Sequence, residues 1–457
     1  MSSSDLADAA SAFASKTIVI GAGLAGLAAA VELADMGREV LLLERRAFAG
    51  GRAYSLTDKV TGDVIDNGQH LMMGCYHHTL SFLDKIGTTP LLKIQTSPKV
   101  EFLSPGGATA SFVCPNLPAP LHLLAGLAGL NSITWGDKLR ALRVGLELRK
   151  RNRDWTGLDQ ITVSEWMANL GQSPLMCERF WNPVALATLN ERPEIASADM
   201  FARVLDQAFM HAKSDSTMVI SRVGLSDLFT TAAISYIEAR GGEVRFNSTI
   251  KKISLSPQAK PTLELTDGTK LSGANVVSAV PYFALRTMLD DDVIATEFPE
   301  LHDLKSAPIM SINVWYANPV MKGEFAGLLD SPVEWVFNKN QIMGSPDNEK
   351  QHLALVISGA HSVAGLSKEE LSAIAVREVE RFFPLARLQK PLHTYVVKEQ
   401  NATLSHGVGI AAKRPKQKTR LNGFYLAGDW TDTGLPATIE GAVWSGQECA
   451  RLILGAS

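Results

Sequence analysis

A group of glycines near the start of the chain has the spacing of a phosphate-binding turn. Gly21, Gly23 and Gly26 form the pattern G-x-G-x-x-G, and the acid Glu44 follows about twenty residues later. The first glycine permits a tight turn, the second lets a phosphate approach the backbone, and the third lets a helix pack closely on a strand. Unpaired N–H groups at the start of that helix attract a pyrophosphate, and a carboxylate placed like Glu44 accepts hydrogen bonds from a ribose diol. These residues predict a dinucleotide site.

The elements around these residues agree with that chemistry. Residues 17–20 (TIVI) and 39–43 (EVLLL) have the apolar composition of buried parallel strands, and the segment between them has the length and composition of a helix. A strand, turn, helix and strand in this order place the glycine turn and the acid at the same edge of a sheet. The alternative is a βαβ unit with a purely structural role.

Further residues extend the site beyond what a plain NAD-binding unit requires. Arg45 comes directly after the acid, and Gly51 and Arg52 follow, so that backbone can approach a ligand closely and guanidinium groups can bind its oxygens. Near the other end of the chain, Gly428 and Asp429 end a strand-like segment, and a helical pattern follows. An aspartate there can bind ribityl hydroxyls, and the helix N-terminus can face the negative edge of a reduced flavin. The alternative is a strand and helix that only close the sheet.

A polar segment at residues 66–70 is the candidate for proton chemistry. Its residues Asp66, Asn67, Gly68, Gln69 and His70 follow an alternating, strand-like stretch. An imidazole transfers protons near neutral pH, so His70 is the predicted general acid, oriented by Asp66. The alternative is a turn in which the polar side chains satisfy only their own backbone.

Length and composition limit the classes of protein. The chain has 457 residues, which favours two domains, and its 46% apolar and 20% charged residues are typical of an ordered globular protein. The formal net charge of −3 gives no argument for a nucleic-acid partner. The four cysteines form no C-x-x-C pair, which argues against a zinc site or a disulfide framework and favours a reducing cytoplasm. We predict no metal site.

The middle of the chain contains a basic amphipathic segment. Residues 137–153 carry seven Lys or Arg against two acids, a local net charge of +5, with leucines at helical spacing. Such a helix predicts peripheral contact with an anionic membrane, and the alternative is a solvated face of a helical cap. No run is long enough to span a bilayer, and residues 1–13 have the composition of a disordered leader. The expected location is the cytoplasm, with peripheral attachment to the inner membrane face.

Taken together, these segments resemble the amine oxidase and phytoene desaturase superfamily of FAD proteins, over nearly the whole chain. The matching motifs are the fingerprint from Gly21 to Arg52, the segment 241–253 and the terminal residues 426–442. Within the superfamily, residues 66–76 (DNGQHLMMGCY) resemble the hydroxysqualene dehydroxylases, also called squalene-associated FAD-dependent desaturases. The resemblance implies an α/β fold with a discontinuous Rossmann-like FAD-binding domain (14–90, 216–285 and 396–457). An inserted α+β substrate domain (91–215 and 286–395) would carry a helical cap.

The resemblance also implies roles for single residues. Glu44 would bind the adenosine ribose, Arg45 and Arg52 the phosphate and flavin region, and Asp429 the ribitol or pyrophosphate. The backbone of Ile250 would contact adenine, and the N–H of Ile439 would face the flavin. The remaining residues expected at the cofactor are Gly51, Gly68, Gln69 and Gly428. No cysteine occupies the turn before Gly434, so non-covalent FAD is expected.

The implied reaction is reductive removal of the allylic hydroxyl of hydroxysqualene, an apolar isoprenoid, in bacterial squalene and hopanoid synthesis. One alternative is an oxidative polyene desaturase or isomerase, or an amine oxidase, because the sequence does not fix the direction of electron flow. Another is an isoprenoid carrier of the GDP-dissociation-inhibitor type without flavin catalysis, since a fold alone does not prove an enzyme. The sequence offers no second nucleotide fingerprint, so the external electron donor is not identified.

Overall fold

The structure is a computed structural model that describes residues 16–106, 108–345 and 350–455. The predicted leader at residues 1–13 lies outside the described residues. In chain order the strands are β1 (Thr17–Ile20), β2 (Val40–Leu43), β3 (Ser55–Thr57), β4 (Val64–Asp66), β5 (Leu71–Met73), β6 (Leu92–Ile94), β7 (Lys99–Leu103), β8 (Thr109–Val113), β9 (Met218–Ser221), β10 (Glu243–Arg245), β11 (Ile250–Ser256), β12 (Ala259–Leu265), β13 (Lys270–Ser272), β14 (Asn275–Ser278), β15 (Ser306–Tyr316), β16 (Phe325–Leu328), β17 (Trp335–Asn338), β18 (Gln351–Ile357), β19 (His393–Leu404) and β20 (Phe424–Leu426).

The helices are concentrated in two parts of the chain, around the first sheet and in a continuous helical region between β8 and β9. In chain order they are α1 (Leu24–Asp35), α2 (His77–Lys85), α3 (Leu121–Gly129), α4 (Trp135–Arg151), α5 (Val163–Asn169), α6 (Pro174–Met176), α7 (Asn182–Leu189), α8 (Ala198–Phe209), α9 (Thr231–Glu238), α10 (Tyr282–Met288), α11 (Asp291–Glu297), α12 (Lys339–Met343), α13 (Lys368–Phe382) and α14 (Ile439–Leu454). Within the described ranges, no helix is both long and apolar enough to cross a membrane.

A five-stranded parallel sheet with the order β10-β2-β1-β14-β20 carries the glycine turn. Both faces of this sheet are buried, which explains why its strands are almost continuously apolar. Val19, Leu42 and Val277 pack with the helices on one face, whereas Ile18 and Val276 pack with the antiparallel strands β11–β13 on the other. The sheet draws its strands from both ends and the middle of the chain, as a discontinuous nucleotide-binding domain requires.

The second large sheet has seven strands in the order β19-β15-β18-β17-β16-β7-β8. Its pairs are antiparallel apart from β16 and β7. Met310, Ile312 and Val314 of β15 pack with α13 on one face. Ala354 and Val356 of β18 belong to the core shared with the helical region 121–209, which forms a cap over the other face.

The predicted fold class is therefore confirmed: a Rossmann-like α/β sheet combined with an α+β unit that has a helical cap. The exact domain limits stay a prediction, although β19 continues the seven-stranded sheet to Leu404, beyond the limit predicted at residue 396. Two smaller sheets, β3-β4 and β5-β9-β6, contain or adjoin the polar segment 66–70.

Candidate functional site

The glycine turn after β1 leaves no room for side chains. Gly21 has a φ of +96°, a conformation that favours glycine. A Cβ added to Gly26 would lie 1.9 Å from the carbonyl oxygen of Gly21, so the first turn of α1 packs directly against the end of β1. The predicted strand–turn–helix geometry is present, and the first N–H groups of α1 lack intrahelical partners because they open the helix.

The second strand ends in a buried carboxylate that is fixed by the backbone. Glu44 is 6% exposed, and its two carboxylate oxygens accept hydrogen bonds from the N–H groups of Ala22 (2.9 Å) and Arg46 (2.8 Å). Each oxygen keeps a further acceptor position for a ligand hydroxyl, since a carboxylate offers about four lone-pair sites. The carboxylate therefore lies beside the glycine turn, oriented before any ligand arrives.

The loop after Glu44 returns to the glycine turn. The N–H of Gly50 donates to the carbonyl of Ala22 (2.8 Å), and a Cβ added to Gly51 would lie 3.0 Å from the Cα of Gly23. The two glycine backbones thus approach each other closely, and Gly51, which also has a φ of +60°, is the position where a side chain would crowd the other backbone. This close approach is the kind of cradle that a dinucleotide needs, so the residues present fit such a group.

The two arginines after Glu44 differ in their surroundings. Arg45 is exposed, whereas Arg46 is half-buried and donates to the carbonyl of Gly51 (3.1 Å) from a position over the rings of Phe48 and Tyr54. The structure therefore directs Arg46, and not the predicted Arg45, toward the glycine loop. The role of Arg45 at the cofactor stays a prediction.

Arg52 joins three separated segments. Its guanidinium forms an ion pair of 2.6 Å with Asp429 and donates to the carbonyl of Ala402 in β19 (2.7 Å). The side chain of Asp429 is only 6% exposed. The predicted residues Arg52 and Asp429, far apart in sequence, therefore occupy one place at the edge of the parallel sheet.

The segment between β20 and α14 is shaped by a buried arginine. Gly428 has a φ of +141°, and a Cβ there would lie 2.5 Å from Nε1 of Trp430. Arg414 donates to the carbonyls of Asp429 (2.8 Å) and Leu435 (2.6 Å) and to the hydroxyl of Thr433 (3.0 Å). Burial lowers the pKa of Arg414 to about 10, which leaves it cationic at neutral pH.

Helix α14 begins at Ile439, with Thr438 as its N-cap residue. Its first turn is fixed by Glu440, whose buried carboxylate accepts from the N–H groups of His78 (2.9 Å) and Thr79 (2.8 Å) at the start of α2. The N–H of Ile439 therefore belongs to a helix end held in a defined position. Ile250, in contrast, begins β11 with a buried side chain and pairs with Leu265. Adenine contact by the Ile250 backbone stays a prediction.

The polar segment 66–70 is held by a lysine that directly follows β17 of the seven-stranded sheet and begins α12. Lys339 forms a 2.9 Å ion pair with Asp66, both side chains being 4% exposed, and also donates to Oε1 of Gln69 (2.7 Å). Asp66 accepts further hydrogen bonds from the hydroxyl of Ser55 (2.8 Å) and the N–H of Leu225 (3.0 Å). Asp66 thus anchors the segment through Lys339, Ser55 and Leu225, and the predicted orientation of His70 by Asp66 is not among these hydrogen bonds.

His70 is instead oriented by the backbone of its own segment. Nδ1 lies 2.6 Å from the carbonyl oxygen of Gly68, so Nδ1 carries the proton and Nε2 is the acceptor in the neutral ring. Burial lowers the pKa of His70 below its ordinary value. The positive charges of Arg52 and Lys339 act in the same direction, against the Gly68 carbonyl and Asp66. The ring is therefore neutral at pH 7 and becomes a strong acid once protonated.

A small apolar cavity lies beside the start of α14. It is lined mainly by Met73, Cys75, Tyr76, Leu435 and Pro436, together with residues of α8. Its volume of about 30 Å³ has room for one or two water molecules, which is far less than a large ligand requires. Burial raises the pKa of Cys75 to about 12, which keeps its thiol protonated.

Three residues at this site were not predicted from the sequence. The sequence pattern favoured Arg45 over its neighbour Arg46, and Arg414 lies in a basic segment whose composition is typical of an exposed surface. Lys339 gave one usable signal, because it directly follows the apolar strand run of β17 and a buried strand end rarely carries an unpaired lysine. No cluster of three or more His, Cys, Asp or Glu side chains suited to a metal ion occurs in the described ranges.

Comparison with known proteins gives the family. The family model for flavin containing amine oxidoreductases matches residues 24–454. A hydroxysqualene dehydroxylase of Rhodopseudomonas palustris is 29% identical over 452 residues, covering 97% of this chain and 99% of that protein. A 15-cis-phytoene desaturase of Capsicum annuum is 28% identical over 453 residues, covering 96% of this chain and 77% of that protein.

Solved structures agree at the level of the fold. Putrescine oxidase bound to putrescine superimposes with a TM-score of 0.72 at 18% identity, covering 96% of this chain and 99% of that one. An oxidoreductase from Methanosarcina mazei gives a TM-score of 0.74 at 16% identity, covering 95% and 99% of the two chains. The family match begins at Leu24, the first residue of α1, and includes Glu44, Arg52, Asp429 and α14. The chain therefore belongs to the flavin containing amine oxidoreductase family and is a flavin-dependent oxidoreductase.

Proposed function

We propose that this enzyme removes the allylic hydroxyl of hydroxysqualene reductively and yields squalene, with FAD as a non-covalently bound cofactor. The observation that carries the proposal is the end-to-end similarity to a hydroxysqualene dehydroxylase, which covers 99% of that protein. The phytoene desaturase of Capsicum annuum has a similar identity, but only 77% of it is covered. The place of the reaction in bacterial squalene and hopanoid synthesis belongs to the same proposal.

The reaction replaces a C–O bond by a C–H bond and releases water. Reduced FAD, when bound, supplies the hydride for the allylic carbon and is oxidised, and an external two-electron reductant must then restore it. The hydroxyl leaves as water because it takes up a proton. The chain must therefore bind the cofactor, exclude bulk water and hold a proton near the leaving oxygen.

The residues described above would bind the cofactor. Glu44 offers its free acceptor positions to the adenosine ribose, and the start of α1 offers N–H groups to the pyrophosphate. The Arg52–Asp429 pair would bind the ribityl and phosphate region, and the start of α14 would direct its N–H groups at the electron-rich edge of the flavin.

We assign the proton to His70. Nε2 is the atom free to carry it, because Nδ1 is engaged by the Gly68 carbonyl. The lowered pKa makes the imidazolium a strong donor but a scarce one at neutral pH, so the rate depends on how often the ring is protonated.

The test is an anaerobic single turnover in D₂O. The enzyme is reduced with dithionite, mixed with hydroxysqualene, and extracted for mass spectrometry. We expect squalene with one added deuterium, because the hydride on reduced flavin exchanges with solvent, and one flavin oxidised per squalene formed. Flavin that stays reduced without squalene would refute the proposed reaction, and conversion of phytoene by the oxidised enzyme would assign the chain to the desaturases instead.

Two further measurements test the cofactor and the proton donor. Acid precipitation should release the flavin into the supernatant, and flavin retained in the pellet would contradict non-covalent binding. A His70→Gln variant should bind FAD normally and lose most of its single-turnover rate. A wild-type rate in this variant would remove His70 from the role of acid.

A further inference from the structure

Helix α4 has an apolar stripe on each of two opposite faces. Ala141, Val144 and Leu148 are buried in the core of the helical cap. The opposite face presents residues spaced four, three and four apart, which is the spacing of a single stripe along a helix. Their exposed fractions are high: Trp135 69%, Leu139 66%, Leu142 38% and Leu146 64%. A helix that only covers a core has no physical reason for the second stripe.

Exposed apolar side chains are concentrated around this helix. In the described ranges, eighteen large apolar residues are exposed, and seven of them lie between residues 117 and 146. Besides the α4 stripe they are Leu117 and, on α3, Leu121 and Leu124. Lys138 of α4 donates to the carbonyl of Ala128 in α3 (2.7 Å), which ties the two helices together. We call these seven side chains the α3–α4 surface.

Cations flank the stripe on both sides. At 100° per residue, Arg149 lies on one side of the Trp135–Leu146 stripe, and Arg143 and Lys150 lie on the other. None of the three forms an ion pair with any described residue. The segment 137–153 has a net charge of +5 in a chain whose net charge is −3. The positive charge is therefore local to the apolar surface.

The helix is fixed in this orientation. The hydroxyl of Thr134 and the carboxylate of Asp137 form a capping box at its start. Asp137, buried at 2% exposure, also accepts from the hydroxyl of Ser173 (2.6 Å). Because these bonds and the buried stripe hold α4 against the cap, its outer stripe cannot turn inward to reach a core.

We propose that the α3–α4 surface docks this protein onto an anionic lipid bilayer. An interfacial helix buries its apolar face about 5–10 Å into the headgroup region, while flanking Lys and Arg side chains reach the phosphates. A second copy of the chain is a poorer occupant, since a symmetric contact would place two +5 segments against each other. The inference concerns attachment and is independent of the proposed reaction.

The experiment is sedimentation of the full-length, flavin-loaded protein with vesicles. Vesicles of phosphatidylcholine with about one-third phosphatidylglycerol are compared with pure phosphatidylcholine, at low and high salt. We expect strong binding to the anionic vesicles, which salt weakens because exposed charges are screened.

Two double variants separate the apolar and the electrostatic contributions. Leu139→Ser with Leu146→Ser should lower the partition coefficient by at least tenfold, because apolar contact area is lost. Arg149→Gln with Lys150→Gln should lower it by about twenty-five-fold on anionic vesicles, since each cation near such a surface contributes about fivefold. These side chains are exposed, so flavin content and melting temperature should not change.

Matched controls use exposed residues elsewhere. Leu385 and Leu388, at 53% and 81% exposure, are changed together to Ser, and the exposed Lys416 and Lys418 are changed together to Gln. Both controls should bind vesicles like the wild type. Equal losses in control and test variants, or wild-type protein that stays in the supernatant with anionic vesicles, would overturn the proposal. Sedimentation velocity showing a dimer that Leu139→Ser with Leu146→Ser converts to monomer would assign the surface to a second copy.

Discussion

The buried ion pair between Lys339 and Asp66 gives the sharpest prediction. The two side chains are each 4% exposed and 2.9 Å apart, and the pair connects the end of β17 to the segment that carries His70. We expect Lys339→Met to lower the free energy of unfolding by about 3 kcal/mol, the lower end of the range for removing one partner of a buried pair. The lower end applies because Asp66 keeps two other hydrogen bonds, from Ser55 and Leu225.

The double variant Asp66→Asn with Lys339→Met separates charge from packing. Each single change leaves one buried group without its countercharge, whereas the double change removes both charges. We therefore expect the double variant to be more stable than the sum of the single losses predicts, by about 1–3 kcal/mol. The measurement is urea unfolding at a fixed excess of FAD, followed by tryptophan fluorescence.

The control is the ion pair of Lys350 with Asp63, which has nearly the same length (2.8 Å) but side chains about one-third exposed. Lys350→Met should cost less than about 1 kcal/mol, because solvent screens exposed pairs. The reasoning is refuted if Lys339→Met costs no more than this control, or if the two changes at Asp66 and Lys339 are simply additive.

Three further outcomes follow from the site. Gly26→Ala places a Cβ 1.9 Å from the Gly21 carbonyl oxygen, so unfolding free energy should fall by about 1–3 kcal/mol and bound flavin should be lost. Gly145→Ala, in the interior of α4 where nothing lies within 4 Å of the added atom, should instead raise the free energy of unfolding by about 0.5–1 kcal/mol and leave bound flavin unchanged. In Glu44→Gln, the side-chain N–H₂ would face one of the two backbone N–H groups that donate to the Glu44 carboxylate. Fluorescence titration should therefore show FAD affinity reduced by about 10–100-fold. The pKa of His70 is lowered below 6.5, so the imidazole is mostly deprotonated at neutral pH. The single-turnover rate should therefore rise as the pH falls toward that pKa, and His70→Gln should abolish this dependence.

The parts of the site that the sequence predicted are those that local chemistry determines. Gly21, Gly23 and Gly26 follow one another within a single turn, and apolar strands on either side leave few alternatives for their geometry. Glu44 ends the neighbouring strand, so its place beside the turn follows from the parallel register of β1 and β2. Asp429 follows β20 of the same parallel sheet by three residues, so it lies at the same edge.

The parts that the sequence did not predict depend on contacts between distant segments. Lys339 and Asp66 are separated by more than half the chain, and nothing in either local pattern indicates the other. Arg45 and Arg46 are neighbours, and only the course of the following loop, with positive φ at Gly50 and Gly51, decides which of them turns inward. The periodicity of apolar residues indicates which face of a helix or strand is buried, but it does not indicate which residue of another element packs against that face.

The same distant contacts bear on how one cofactor site supports different reactions. Arg52 binds Asp429 at the parallel sheet and the Ala402 carbonyl in β19, and Lys339 extends from the seven-stranded sheet to Asp66. The side chain of Lys339 thus fixes the segment carrying His70, Asn67 of the same segment donates to the backbone carbonyl of Arg52 (3.0 Å), and the charges of Arg52 and Lys339 both lower the pKa of the imidazole. Dehydroxylases and desaturases resemble this chain to nearly equal degrees along its length, so the glycine turn alone does not distinguish them. We therefore propose that the direction of electron flow depends on groups outside the glycine turn, and within segment 66–70 His70 is the residue whose protonation would favour the loss of a hydroxyl.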